Sequence, residues 1–219
     1  MERPSYMLRG ILGFILIALI CSCTPKAPVI TSVSRIDTLF FKEINRVTDL
    51  AGIESLRTVY VPSGDLEVRV WRGFGLSPLE GVVLRRTGNS WSGLHLTADQ
   101  YFEAQKVQVE TLQRPRSGWI AFSTKVVEDG LLALPKTLEE NCDNSGIDGI
   151  GYVVEINQNR TYRNYYYYDG NIGCRDSEEM SNLGEVIGLE FDTGTEQCKT
   201  AEWFPCMTYR KTLEKNKVK

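Results

Sequence analysis

The alternation of apolar and polar residues changes period several times along the chain, and each change marks an element. Leu66-Glu67-Val68-Arg69-Val70-Trp71 alternates up to its last residue, which predicts a half-buried strand. Thr58-Val59-Tyr60-Val61, ahead of a turn at Pro62-Ser63-Gly64-Asp65, predicts another. Gly73 to Pro78 breaks the pattern. Gly81–Thr87 and Ser90–Leu96 flank Gly88-Asn89, a two-residue hairpin signal that sets Arg86 opposite Trp91 and Val82 opposite His95. Val107–Leu112 reads as one more strand. Gly151–Ile156 and Thr161–Tyr168 predict a second hairpin, closed at Gln158-Asn159 or by a loop one residue longer.

Helical spacing appears in three places. From Asp37 to Leu50, apolar residues fall at Leu39, Phe40, Ile44, Val47 and Leu50, with Asp37 as N-cap; Thr38–Phe41 also fits a strand. Ser117 is placed to cap a helix that aligns Trp119, Phe122, Val126 and Val127, with Gly130 as its terminator and Pro135 forbidding continuation. Ser177–Leu189 forms a third, with Glu178 and Glu179 in its first turn and Gly184 and Gly188 weakening it. Hairpins dominate the strand order. The expected class is therefore α+β, an antiparallel sheet built of hairpins with two or three packed helices.

The first residues read as an address. Arg3 and Arg9 precede the uncharged run Ile11–Ile20, which is short of the roughly 20 residues that span a bilayer but suits a signal-peptide core. Ile20-Cys21-Ser22-Cys23 follows. It resembles the lipobox of bacterial lipoproteins, with an aliphatic residue at −3 and a small one before the cysteine. That resemblance implies cleavage before Cys23 and lipidation of Cys23, so that residues 1–22 are signal peptide. Thr24 stands next to it where no aspartate signals inner-membrane retention, which implies the outer membrane, facing the periplasm. A plain cleaved signal or a short anchor is the alternative. Residues 23–28 would then be lipidated cysteine and stiff linker, 29–210 a single α+β domain and 211–219 a polar tail.

The chain has 219 residues, 42% hydrophobic and 24% charged, enough apolar material for a core. Its net charge of −3 gives no basic face for phosphate, so no nucleic-acid partner is expected. The expected partners are the membrane, through the lipid, and an envelope protein or glycan. Cys142, Cys174, Cys198 and Cys206 remain in an oxidising compartment and predict two disulfides. The second hairpin brings Cys142 and Cys174 to or beside opposite positions, leaving Cys198 and Cys206 to close a small loop. A metal site is disfavoured by long spacings and a single histidine, so neither metal nor cofactor is expected.

No catalytic signature surrounds His95, the only histidine. Asp143–Gly149 fails the calcium-loop pattern and reads as a turn. Glu67, Glu103, Glu110, Glu139, Glu140 and Glu155 could supply a carboxylate pair for glycan hydrolysis, but nothing in the sequence selects one. The second hairpin is rich in tyrosine, with Tyr162, Asn164, Tyr166 and Tyr168 on one face. A ligand surface formed by Glu155, Tyr162, Arg163, Tyr166 and Tyr168 is one expectation; ordinary β packing is the stronger one. The functional expectation is a non-catalytic binding or assembly module of the envelope. A cell-wall hydrolase and an enzyme inhibitor presenting the Cys198–Cys206 loop are the alternatives.

Overall fold

A computed structural model describes residues 28–32, 38–74, 78–100, 103–134, 150–168 and 174–193. Seven strands form one open sheet: β1 (Val29–Ser32), β2 (Leu66–Arg72), β3 (Glu80–Thr87), β4 (Ser90–Ala98), β5 (Val107–Thr111), β6 (Gly151–Gln158) and β7 (Thr161–Tyr168). Their order is β1-β7-β6-β2-β3-β4-β5. β2 to β7 are antiparallel to their neighbours, and β1 adds to the edge of β7 in parallel. The helices are α1 (Thr38–Leu50), α2 (Trp119–Phe122), which continues as a wider π-helical coil over Ser123–Leu131, and α3 (Arg175–Phe191). The fold is α+β.

Both hairpins follow from their turns. Gly88 takes φ +58 at the first central position, as a type II′ turn requires, and Arg86 faces Trp91 and Val82 faces His95 as the sequence predicts. In the β6–β7 hairpin the turn is Asn159-Arg160, both at positive φ, one residue later than expected. That places Glu155 opposite Asn164 and Ile156 opposite Arg163. Cys142, Cys198, Cys206 and the 143–149 turn lie outside the described residues, as does Cys23.

Leu66–Trp71 is expected to be half-buried, but β2 is covered on both faces. On one side α2, its π-helical extension and α3 pack on Leu66, Val68, Val70, Val82, Leu84, Val154 and Ile156. On the other, Phe41, Ile44 and Val47 of α1 cover Trp71, Val83, Leu96 and Val153. The polar alternates Glu67 and Arg69 are consequently buried, at 5% and 0% exposure. Thr58–Val61 is not a strand, because β3 and β6 already occupy both edges of β2. The carbonyls of Leu56 and Val59 instead accept hydrogen bonds from Asn157 Nδ2, at 3.2 and 3.0 Å.

Two glycines are set by close approach. A Cβ on Gly81 would lie 2.4 Å from the ring of Trp71, its cross-strand neighbour. Gly130 does not terminate its helix; it lies inside the π-helical coil, where a Cβ would meet Leu183 of α3 at 2.7 Å. Gly118, at φ +82, caps α2 in place of Ser117, whose N–H goes to Glu190. α3 begins before Ser177, directly after the buried Cys174.

Candidate functional site

Two polar constellations arise from this arrangement. The first lies between the sheet and the chain around 51–65. Odd-numbered residues of β2 share a face with odd-numbered residues of β6 and even-numbered ones of β7, because opposite positions point the same way. Glu67 therefore meets Arg85, with Nε to Oε2 at 2.8 Å, and Arg69 bonds the same carboxylate at 2.7 Å. Arg69 also donates to the carbonyl of Glu54 at 2.8 Å. Beside them, Glu155 accepts from Trp71 Nε1 at 2.7 Å and from the Tyr162 hydroxyl at 2.8 Å. Asn164 Nδ2 donates to that hydroxyl at 3.1 Å, and the Arg57 guanidinium lies 3.6 Å above the Phe41 ring. Burial, then the charge of Glu155, pushes the Tyr162 hydroxyl well above its ordinary value.

This network is enclosed. Glu155 is 2% exposed and Tyr162 0%, so both side chains are packed inside and not displayed on the outer surface. Tyr166 and Tyr168 share that face and are half-buried; Tyr166 stacks on Phe40 at 4.9 Å. Arg163 points to the opposite face, where it donates to the Leu132 carbonyl at 3.3 Å. Tyr165 and Tyr167 are buried there too, and Tyr167 is also held above its ordinary value by burial and by the Asp176 charge. The hairpin tyrosines are thus mainly packing. The ionic part of the network fixes register, since a slip of β2 by one residue would drive Glu67 and Arg69 into the apolar layer.

The second constellation lies on the other face. His95 on β4, Arg72 on β2 and Glu80 on β3 line a cleft closed by Tyr152 and by Gly184, Ile187, Gly188 and Thr193 at the end of α3. The aromatic ring reaches the helix backbone because position 184 is glycine; a Cβ there would lie 2.8 Å from Tyr152. Arg72 Nε stands 3.8 Å from Glu80 Oε2. Burial lowers the His95 pKa, opposed by Glu80 and Glu110 and assisted by Arg72, so the imidazole is neutral at pH 7. Burial raises Glu185, against the pull of Arg72. The cavity has a volume of about 30 Å³, room for about two water molecules.

The chain matches no family model, no curated protein and no solved structure.

Sequence reasoning singled out His95 but not Arg72, Glu80 or Glu185. One signal was present: the β3–β4 register that sets Val82 opposite His95 also places Glu80 on the same face, one diagonal away. Arg72 needed the long-range β2–β3 pairing, and Glu185 needed the docking of α3. Among the described residues no group of three or more His, Cys, Asp or Glu side chains could hold a metal ion.

Proposed function

We propose that the protein is an exported lipoprotein held in the bacterial envelope by lipid on Cys23, with an α+β domain that binds another envelope component, protein or glycan, without transforming it. The observation that carries the reading is Ile20-Cys21-Ser22-Cys23 directly behind the apolar run Ile11–Ile20. Two acyl chains or more are needed for firm retention, at about 0.8 kcal/mol per buried CH₂. Binding is favoured over catalysis by scale: among the described residues the cleft at His95 is small, with room for about two waters. The outer membrane, facing the periplasm, is the proposed address, and two disulfides among Cys142, Cys174, Cys198 and Cys206 belong to the same proposal.

Non-reducing peptide mapping of the native membrane fraction tests it. The expected result is an N-terminal peptide beginning at an acylated Cys23 and four cysteines in disulfide linkage. An unmodified N-terminus with free thiols would withdraw the address and the partners inferred from it.

Hydrolysis of cell-wall material at the cleft is the second reading. It is favoured by one specific observation: burial raises the Glu185 carboxyl, which feels the charge of Arg72, and Arg72 lines the cleft with His95 and Glu80. Release of soluble fragments from purified cell wall, lost in both Glu80→Gln and Glu185→Gln, would establish it; no release by the unsubstituted protein would remove it.

A further inference from the structure

We propose that the free edge of β5 is a self-association surface whose occupant is β5 of a second copy of this chain, related by a two-fold axis through Val109. β5 pairs with β4 on one side, and among the described residues no strand pairs with the other. Gln108, Val109, Glu110 and Thr111 are exposed, Val109 by 42%. An open strand edge of this kind is a template for another strand.

The backbone and the side chains agree on one register. The N–H of Leu112 donates to Gly93 and the carbonyl of Lys106 accepts from Asp99, so even-numbered residues turn their peptide groups toward β4. Val107, Val109 and Thr111 turn theirs outward. In an antiparallel pair centred on Val109, Val109 meets its own copy and Val107 meets Thr111. Every outward N–H and C=O of these residues then has a partner. The same register sets Gln108 opposite Glu110 of the second copy, twice, at the closely spaced positions where side chains touch.

These two side chains are already complementary. Within one strand Gln108 Nε2 donates to Glu110 Oε1 at 2.5 Å. The pairing across the axis repeats that amide–carboxylate contact between copies, and it avoids placing Glu110 against Glu110. A register shifted by two residues would lose these contacts. The surface is self-complementary, as a closed two-fold interface requires.

The test is sedimentation of the full mature chain in matched detergent, across concentration. A monomer–dimer equilibrium is expected. Gln108→Glu opposes like charges at both pairs and should weaken association about tenfold. Gln108→Glu with Glu110→Gln exchanges the two groups and should restore it, a readout that a folding defect would not give. Val109→Pro removes an outward N–H and leaves the β4 ladder intact, so it should abolish the dimer. A chain monomeric up to about 500 µM, or a dimer indifferent to Gln108→Glu and Val109→Pro, would overturn the proposal. Neither outcome depends on whether Cys23 carries lipid.

Discussion

Removing the Tyr162 hydroxyl with Tyr162→Phe tests whether the enclosed network is closed to water. The hydroxyl donates to Glu155 at 2.8 Å and accepts from Asn164 at 3.1 Å and from Arg57 Nε at 3.4 Å. A hydrogen bond to a charged group contributes about 1.5–3 kcal/mol, and an unpaired buried amide costs about 1–3 kcal/mol. Glu155 keeps Trp71 as a donor, and Arg57 is only half-buried, so the expected loss is about 3 kcal/mol. In urea, with a slope of about 2 kcal/mol per molar, the midpoint should fall by about 1.5 M. Tyr60→Phe is the control. Its hydroxyl accepts from Arg160 at 3.1 Å at an exposed site, and its loss should cost under about 0.5 kcal/mol. Adding Glu155→Gln to Tyr162→Phe should cost less than Glu155→Gln alone, because the two groups share one interaction. If Tyr162→Phe moves the midpoint no more than Tyr60→Phe does, the reasoning fails: water or another donor must then reach Glu155.

The other consequences concern helix contacts and titration. Gly184→Ala forces a Cβ to within 2.8 Å of the buried Tyr152 ring and should destabilise by about 1–3 kcal/mol in urea unfolding, whereas Gly188→Ala, 3.1 Å from the Thr193 carbonyl, should be near neutral as helix propensity offsets crowding. Tyr162 and Tyr167 are both raised from 10.0, so they favour the folded state below pH 10 and that contribution is lost as pH climbs above it; 295 nm absorbance should show these two ionising only with alkaline unfolding. Glu185 is raised from 4.5, so its ionisation opposes folding above that pH. Glu185→Gln should raise the melting temperature at pH 7, with the gain vanishing below pH 4.5.

What the sequence disclosed depended on the range of the interaction. Local chemistry was readable: Gly88-Asn89 specified its turn and thereby the whole β3–β4 register, and α1 followed from its apolar spacing. At Asn159-Arg160 the same logic slipped by one residue, because an arginine at φ 63 is not a residue that local rules place there. That slip put Arg163 on the opposite face from Glu155. The burial of Glu67 and Arg69 was hidden for a different reason. Alternation shows that a strand has two unlike faces, but a charged face buried against Arg85 and Glu155 has the same pattern as one in water. Only the order β6-β2-β3, set by long-range pairing, puts β2 inside the sheet.

The two edge strands connect the proposed anchor with the proposed dimer. Val29 opens β1, and it follows Cys23 closely enough that the lipid would lie within about 20 Å of that edge. β5 stands at the opposite end of the strand order, about 29 Å further on at about 4.8 Å per strand. Anchoring one edge therefore leaves the other available to a neighbour on the same membrane. Chains tethered to one surface meet at an effective concentration up to about millimolar, so a short ladder that dissociates in dilute solution would be populated there. Cys23→Ala and Gln108→Glu should then differ in a telling way. Both should lower proximity crosslinking of β5 in cells, but only Gln108→Glu should weaken the dimer in detergent. If Cys23→Ala leaves crosslinking in cells unchanged, tethering contributes nothing to association, and the dimer must rest on the β5 contact alone.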